Sequence, residues 1–230
     1  FGARYIGALG GMAEVSPHFD QLAKEGILFS SCYANSFRTD RGVLSILSGY
    51  PSFPTHSVMK LPAKIRSLSA LSGELRKQGY TTDFLYGGDA NFTNMKGYQR
   101  VTDEKDLDKR LPRTNWGVPD GVTFDYLYGE ILRQPTDRPW HKGFLTLSSH
   151  EPFDVPYKRL ASPIPNAFAY LDENLGKFVE RLKKTPQWKD LLIICLADHG
   201  FSDRDSDDRN GTAVHHIPLL WLGGAVRSPR

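Results

Sequence analysis

A chain of 230 residues that is 40% hydrophobic, with a net charge of +3, carries enough apolar side chains for a core and too little charge to dictate an anionic partner. Its 29 basic residues form no polybasic run, which argues against nucleic acid. No apolar run approaches the ~20 residues that cross a bilayer, and no signal peptide is visible.

The chain opens on Phe1-Gly2-Ala3-Arg4-Tyr5 without an initiator Met, and reads as a fragment of a longer protein. Ser16-Pro17 starts a short helix through residues 18–25, with serine as the cap and Gly26 as a left-handed stop. Ile27-Leu28-Phe29 begins a strand. Val43 to Ser48, closed by Gly49, is a small apolar segment within a helix expected through residues 41–48, with Ser36-Phe37-Arg38-Thr39-Asp40-Arg41-Gly42 at its start. Leu68 to Gln78 is amphipathic and ends at Gly79. Residues 81–86 form a strand that runs into Gly87-Gly88-Asp89. Residues 100–115 are charged and irregular, a surface excursion. Asp120 to Arg133 is helical, 143–147 is a buried strand, and Ala167 to Lys184 has apolar residues at helical spacing. Leu191 to Ala197 is an unbroken apolar run, expected as a central strand buried on both faces. The mixed-charge stretch Asp203–Arg209 reads as a solvated loop. Cys32 and Cys195 lie in strand-like segments and read as buried free thiols.

Helices alternating with strands predict an α/β domain with a mainly parallel central sheet flanked by helices on both faces. In such sheets ligands bind beyond the carboxyl ends of the strands. Four polar clusters fall at those ends: Thr39 with Arg38 and Arg41, then Gly88-Asp89, then Ser149-His150-Glu151, then Asp198-His199-Gly200. Four clusters at one edge point to a shared site.

A carboxylate and an imidazole side by side, as at Asp198-His199, suit a divalent cation. The alternative for the dipeptide alone is an aspartate cap beside a structural histidine. Gly200 lets the backbone turn sharply. A metal would activate the Thr39 hydroxyl, which is a poor nucleophile unaided. A helix start at Thr39 would favour an anion, with Arg38 and Arg41 adding charged hydrogen bonds to phosphate or sulfate oxygens. The plainer reading makes Thr39 an N-cap and the arginines solvated. His150 is placed to protonate a leaving alkoxide or bind a substrate oxygen. Asp89 is either a ligand for a sugar or glycerol hydroxyl or a turn former. One of His215 and His216 would face the same edge.

These stretches resemble the alkaline phosphatase superfamily. Within it they are similar to the sulfatase-like branch of lipoteichoic acid synthases and phosphoglycerol transferases. The resemblance rests on Tyr33 to Gly42, Tyr86 to Phe92, Leu147 to Phe153, Ala197 to Gly200 and His216-Ile217-Pro218. It implies one catalytic domain over residues 1–230 that lacks its first strand and its C-terminal part. Thr39 falls at the family's nucleophile, which also touches the metal. Asp198 and His199 fall at metal ligands, while Asp89 and His150 fall at substrate contacts. Arg38, Arg41, Asn94 and His216 complete the expected substrate set. One divalent ion is expected, Mn²⁺ first, with Mg²⁺ or Zn²⁺ as alternatives. A further glutamate ligand would lie just upstream of Phe1. Asn94 or Lys96 stands where lipoteichoic acid synthases carry an aromatic residue and an arginine.

True sulfatases oxidise a Cys or Ser to formylglycine, and the β-methyl of threonine forbids that product. The expected activity is therefore metal-dependent transfer of a phosphoglycerol-type or phosphoethanolamine-type group, from a lipid or phosphodiester donor to a glycan or lipid acceptor. The partner is an anionic lipid or glycan. The parent protein is expected to be membrane-anchored, with this domain periplasmic or extracellular. The alternatives are a sulfuric-ester or phosphate-ester hydrolase and, in another class, a non-catalytic domain binding anionic glycans.

Overall fold

The structure, a computed structural model, describes residues 1–53, 56–65, 67–91, 101–135, 137–202 and 208–227. The regular elements in chain order are α1 (Pro17–Glu25), β1 (Ile27–Tyr33), α2 (Thr39–Ser48), α3 (Pro62–Ile65), α4 (Leu71–Lys77), β2 (Thr81–Tyr86), β3 (Val101–Thr102), α5 (Asp120–Leu132), β4 (Trp140–Leu145), α6 (Pro163–Leu182), β5 (Ile193–Leu196), α7 (Thr212–His215) and β6 (His216–Leu222). The chain divides into two compact units. One is Phe1–Phe37 with Ser148–Arg230, and the other is Arg38–Leu147.

The Arg38–Leu147 unit holds a parallel sheet ordered β3-β2-β4. Phe84 and Tyr86 alternate down one face of β2 and pack with Val43 and Leu44 of α2, with Met59 and with Leu147. A period of two on the strand meets the apolar stripe of a helix, and the buried area between them holds the unit together. α2 ends as expected at Gly49, which takes the left-handed conformation at φ 66°.

The other unit holds a sheet ordered β1-β6-β5, in which β6 runs antiparallel to both neighbours. The α/β class with a parallel sheet stands, and the antiparallel β6 is a feature the sequence pattern did not show. β6 takes the centre. β5, expected to be central, pairs only with β6 among the described residues, and Ile194 is 52% exposed. Cys32 and Cys195 are unpaired thiols, half-buried rather than fully buried. Burial raises both above the ordinary thiol range, Cys195 to about 12.

The caps of α1 also differ from expectation. The Ser16 hydroxyl makes no cap bond; it accepts the Gly7 amide and donates to Asp20. Gly26 is not left-handed (φ −116°), but a Cβ there would lie 2.2 Å from the Trp221 carbonyl oxygen. The α1 start is capped from outside by Asp172 of α6, which accepts the amides of His18 and Phe19.

Candidate active site

In the Arg38–Leu147 unit, α2 begins at Thr39. The capping position falls on Arg38, without a side-chain cap bond, so Thr39 is the first helical residue rather than the cap. Its hydroxyl therefore stands at the positive end of a 10-residue helix. Asp40 is buried, and its carboxylate lies 3.5 Å from Arg38 Nε. Part of the Arg38 charge is thus already balanced within the loop.

Asp89 follows β2 at the carboxyl end of the parallel sheet. One carboxylate oxygen accepts the Asn91 amide (2.9 Å), the turn geometry anticipated for it. The other accepts from Lys105 Nζ (2.8 Å). Lys105 first, then the Asn91 amide, hold the Asp89 carboxyl below the usual carboxylate range. Asp89 is about as exposed as Lys105, so the pair faces solvent.

The excursion that brings Lys105 there is fixed by the main chain. Val101 and Thr102 pair with Phe84 and Leu85. Glu104 N–H donates to the Gly88 carbonyl and Val118 N–H to the Gly87 carbonyl. Asp103 is fully buried and accepts the amides of Ala90 (3.3 Å) and Lys105 (3.0 Å). One carboxylate thus ties down the neighbour of Asp89 and Lys105 itself. Gly117 crosses at φ +133°, where a Cβ would meet the Gly87 carbonyl oxygen at 2.2 Å.

In the other unit, antiparallel pairing sets the carboxyl ends of β1 and β5 beside the start of β6. Asp198 and His199 follow β5. His199 Nδ1 donates to the Gly200 carbonyl (2.6 Å), and its Nε2 lies 3.7 Å from Asp198 Oδ2. Gly200 is required for close approach rather than for a positive φ, since a Cβ would fall 1.6 Å from the Val214 carbonyl oxygen. His150 is exposed on the turn after β4, and its Nδ1 donates to the Glu151 carbonyl (2.9 Å). In that turn Phe153 has φ 61°, an uncommon value for a bulky residue. Its ring lies 6.1 Å from Phe201 and 6.4 Å from Phe168, and Phe201 lies 5.4 Å from Phe168. This aromatic cluster ties the His150 turn to the Asp198-His199 turn.

His216 is engaged with β1. Its Nε2 donates to the Ser30 carbonyl (2.8 Å) and its ring stacks on Tyr33. Any substrate contact by His216 competes with that bond. His215 likewise bonds the Ala34 carbonyl through Nδ1 and packs on Phe37.

The donor set at Asp198 and His199 fits a divalent ion. A carboxylate oxygen and an imidazole nitrogen lie 3.7 Å apart, and the other ring nitrogen is oriented by a backbone carbonyl, the kind of partner that orients metal-binding histidines. Among the described residues no third His, Cys, Asp or Glu joins them.

Of the residues singled out from sequence, Thr39, Arg38, Arg41 and Asp89 lie in one unit, and His150, Asp198, His199 and His216 in the other. Asn94 and residues 203–207 lie outside the described residues. Lys105, Asp103 and the Phe153–Phe201 contact were not anticipated. The acidic and basic residues of 100–115 were visible, but nothing in their spacing tied them to the end of β2.

The fold, with its parallel sheet and polar strand ends, matches those of alkaline phosphatase superfamily proteins. The sulfatase family model matches residues 1–229, and the chain belongs to the sulfatase family, a family of enzymes. It is 28% identical over 222 residues to the lipoteichoic acid synthase of Staphylococcus saprophyticus, covering 81% of this chain and 32% of that protein. The chain thus spans about a third of the length of this curated relative. A crystal structure of a protein in the alkaline phosphatase superfamily from Vibrio parahaemolyticus superposes with TM-score 0.87 at 30% identity, over 98% of this chain and 58% of that one. The lipoteichoic acid synthase LtaP of Listeria monocytogenes shares the fold, with TM-score 0.83 at 17% identity over 94% of this chain and 61% of that one. At family level these relatives support phosphoryl-group chemistry. Among the described residues no helix is long and apolar enough to cross a membrane.

Proposed function

We propose that the chain is the catalytic part of a transferase that moves a phosphoglycerol-type or phosphoethanolamine-type group from a lipid phosphodiester to a glycan or lipid hydroxyl. The observation that carries the reading is Thr39 at the first position of α2. A hydroxyl at a helix start meets an anion where the helix dipole favours it, and threonine closes the formylglycine route of sulfate hydrolysis.

Thr39 Oγ1 loses its proton to water and forms a bond to phosphorus as the bond from phosphorus to the lipid oxygen breaks. His150 gives its proton to the leaving alkoxide. The acceptor hydroxyl then attacks the phosphothreonine, its proton passes to His150, the bond from phosphorus to Thr39 Oγ1 breaks, and Thr39 takes a proton back from water. Arg38 and Arg41 hold the non-bridging oxygens, while Asp89 and His216 contact the transferred headgroup. Asp198 and His199 are the residues to hold a divalent ion, Mn²⁺ before Mg²⁺ or Zn²⁺. Such an ion lowers the pKa of a hydroxyl nucleophile and stabilises charge on phosphoryl oxygens. The parent protein is membrane-anchored, with this part outside the cytoplasm, next to its lipid donor.

The test is mass spectrometry of the full-length protein after incubation with Mn²⁺ and phosphatidylglycerol. A phosphoglycerol adduct on Thr39, absent in Thr39→Ala, is expected, and the variant should lose turnover by about 10³-fold or more. Turnover that survives Thr39→Ala would remove the covalent step.

A further inference from the structure

We propose that Lys105 is a specificity-determining residue that admits a polyol headgroup and turns away an ammonium headgroup, a reading that rests on the role given above to Asp89. The excursion from β3 to Val118 does more than cover the surface. It is laced to the loop after β2 through Glu104 to Gly88, Val118 to Gly87, and the buried Asp103 carboxylate that holds both the Ala90 and Lys105 amides. The outcome of that lacing is one exposed ion pair, Asp89–Lys105, at the carboxyl end of β2.

An ion pair there offers a donor and an acceptor side by side. A lysine ammonium has three donors, and Asp89 occupies one of them. A carboxylate has about four acceptor sites, and Lys105 and Asn91 use two. A glycerol or sugar hydroxyl both donates and accepts, so it matches the pair without displacing it. An ethanolamine headgroup brings a second cation to the position that Lys105 already fills. Like charges set against each other suppress the wrong partner. The surroundings sharpen the point. Asp89, Asp103 and Glu104 all bear on Lys105 and raise its pKa. Without the lysine, this corner is acidic and would welcome an ammonium group.

The experiment is calorimetric binding of glycerol 1-phosphate and of O-phosphoethanolamine to the full-length protein with Mn²⁺. Wild type, Lys105→Gln and Lys105→Arg would be compared. Wild type is expected to prefer glycerol phosphate by about tenfold, Lys105→Arg to keep that preference, and Lys105→Gln to erase or reverse it. An unchanged ratio in Lys105→Gln overturns the proposal, as does a wild type that binds neither ligand or prefers the amine. Lys105 is half exposed, so its replacement spares the core. The Thr39 adduct is a separate readout. Selective binding without an adduct would sink the transfer reaction and leave Lys105 in its role. An adduct with a ratio indifferent to Lys105 would do the reverse.

Discussion

Asp172 of α6 accepts the amides of His18 and Phe19 and lies 2.9 Å from His18 Nδ1, so the start of α1 is capped by a residue more than 150 positions away. The carboxylate is fully buried, and burial holds its pKa above the usual carboxylate range despite those donors. Removing it strands two helix-end N–H groups. Asp172→Ala should lower stability by about 2–3 kcal/mol, read as a shift of the urea midpoint at constant slope. Asp172→Asn should cost less, since it keeps an acceptor and buries no charge.

Metal affinity should follow the Asp198-His199 pair. Loss of an outer-shell partner typically weakens metal sites 10–100-fold, so loss of either of these side chains should weaken Mn²⁺ binding by about 100-fold or more. Titration calorimetry of Asp198→Ala and His199→Ala checks this. Affinity unchanged in both would move the metal elsewhere.

Acid should loosen the corner around Lys142. Its side chain is 7% exposed and its ammonium reaches Asp83 (3.0 Å) and Glu130 (3.4 Å), while Arg133 donates to Glu130 (2.6 Å). Arg133, then Lys142, hold the Glu130 carboxyl below its ordinary value of 4.5. A lowered carboxylate gives its full stabilisation above that ordinary value and loses it as pH falls through the folded one. Denaturant midpoints should therefore fall on acidification below about pH 5. Arg133→Met should flatten that fall most. Lys142→Met should cost about 1–3 kcal/mol at pH 7, because two carboxylates then face each other.

The lacing of the 101–118 excursion should fail at Gly117. Alanine there must adopt φ +133° with its Cβ 2.2 Å from the Gly87 carbonyl oxygen. Gly117→Ala should cost about 2–4 kcal/mol. Hydrogen exchange should show the Val118 and Glu104 amides losing protection together.

Local pattern carried much of the fold. β2 falls on the expected residues 81–86, and α5 and α6 lie close to their expected spans, because alternation and helical spacing are properties of the segment itself. β4 lies upstream of its expected place. All six of its residues are half-buried, so hydropathy marked only its apolar end. The antiparallel course of β6, and the pairing of β5 with β6 alone among the described residues, depend on partners far along the chain, which an apolar run does not name. The strand-end clusters were legible because short polar motifs follow apolar strands. Lys105 was not, since its meaning comes from Asp103 folding the excursion back onto β2. Sequence alone presents Gly200 as freedom to turn, while the cause of its requirement, the Val214 carbonyl, sits on another segment.

Main-chain bonds and the buried Asp103 anchor the excursion at the end of β2, while Arg113, donating to the carbonyls of Glu104, Asp108, Lys109 and Leu111, braces its outer turn. Substitution of Lys105, whose side chain is half exposed, leaves these anchors, β2 and the start of α2 untouched. Descendants of one ancestral sequence are thus free to diverge in the charge presented at the end of β2 through a few changes on this segment, with the fold inherited intact.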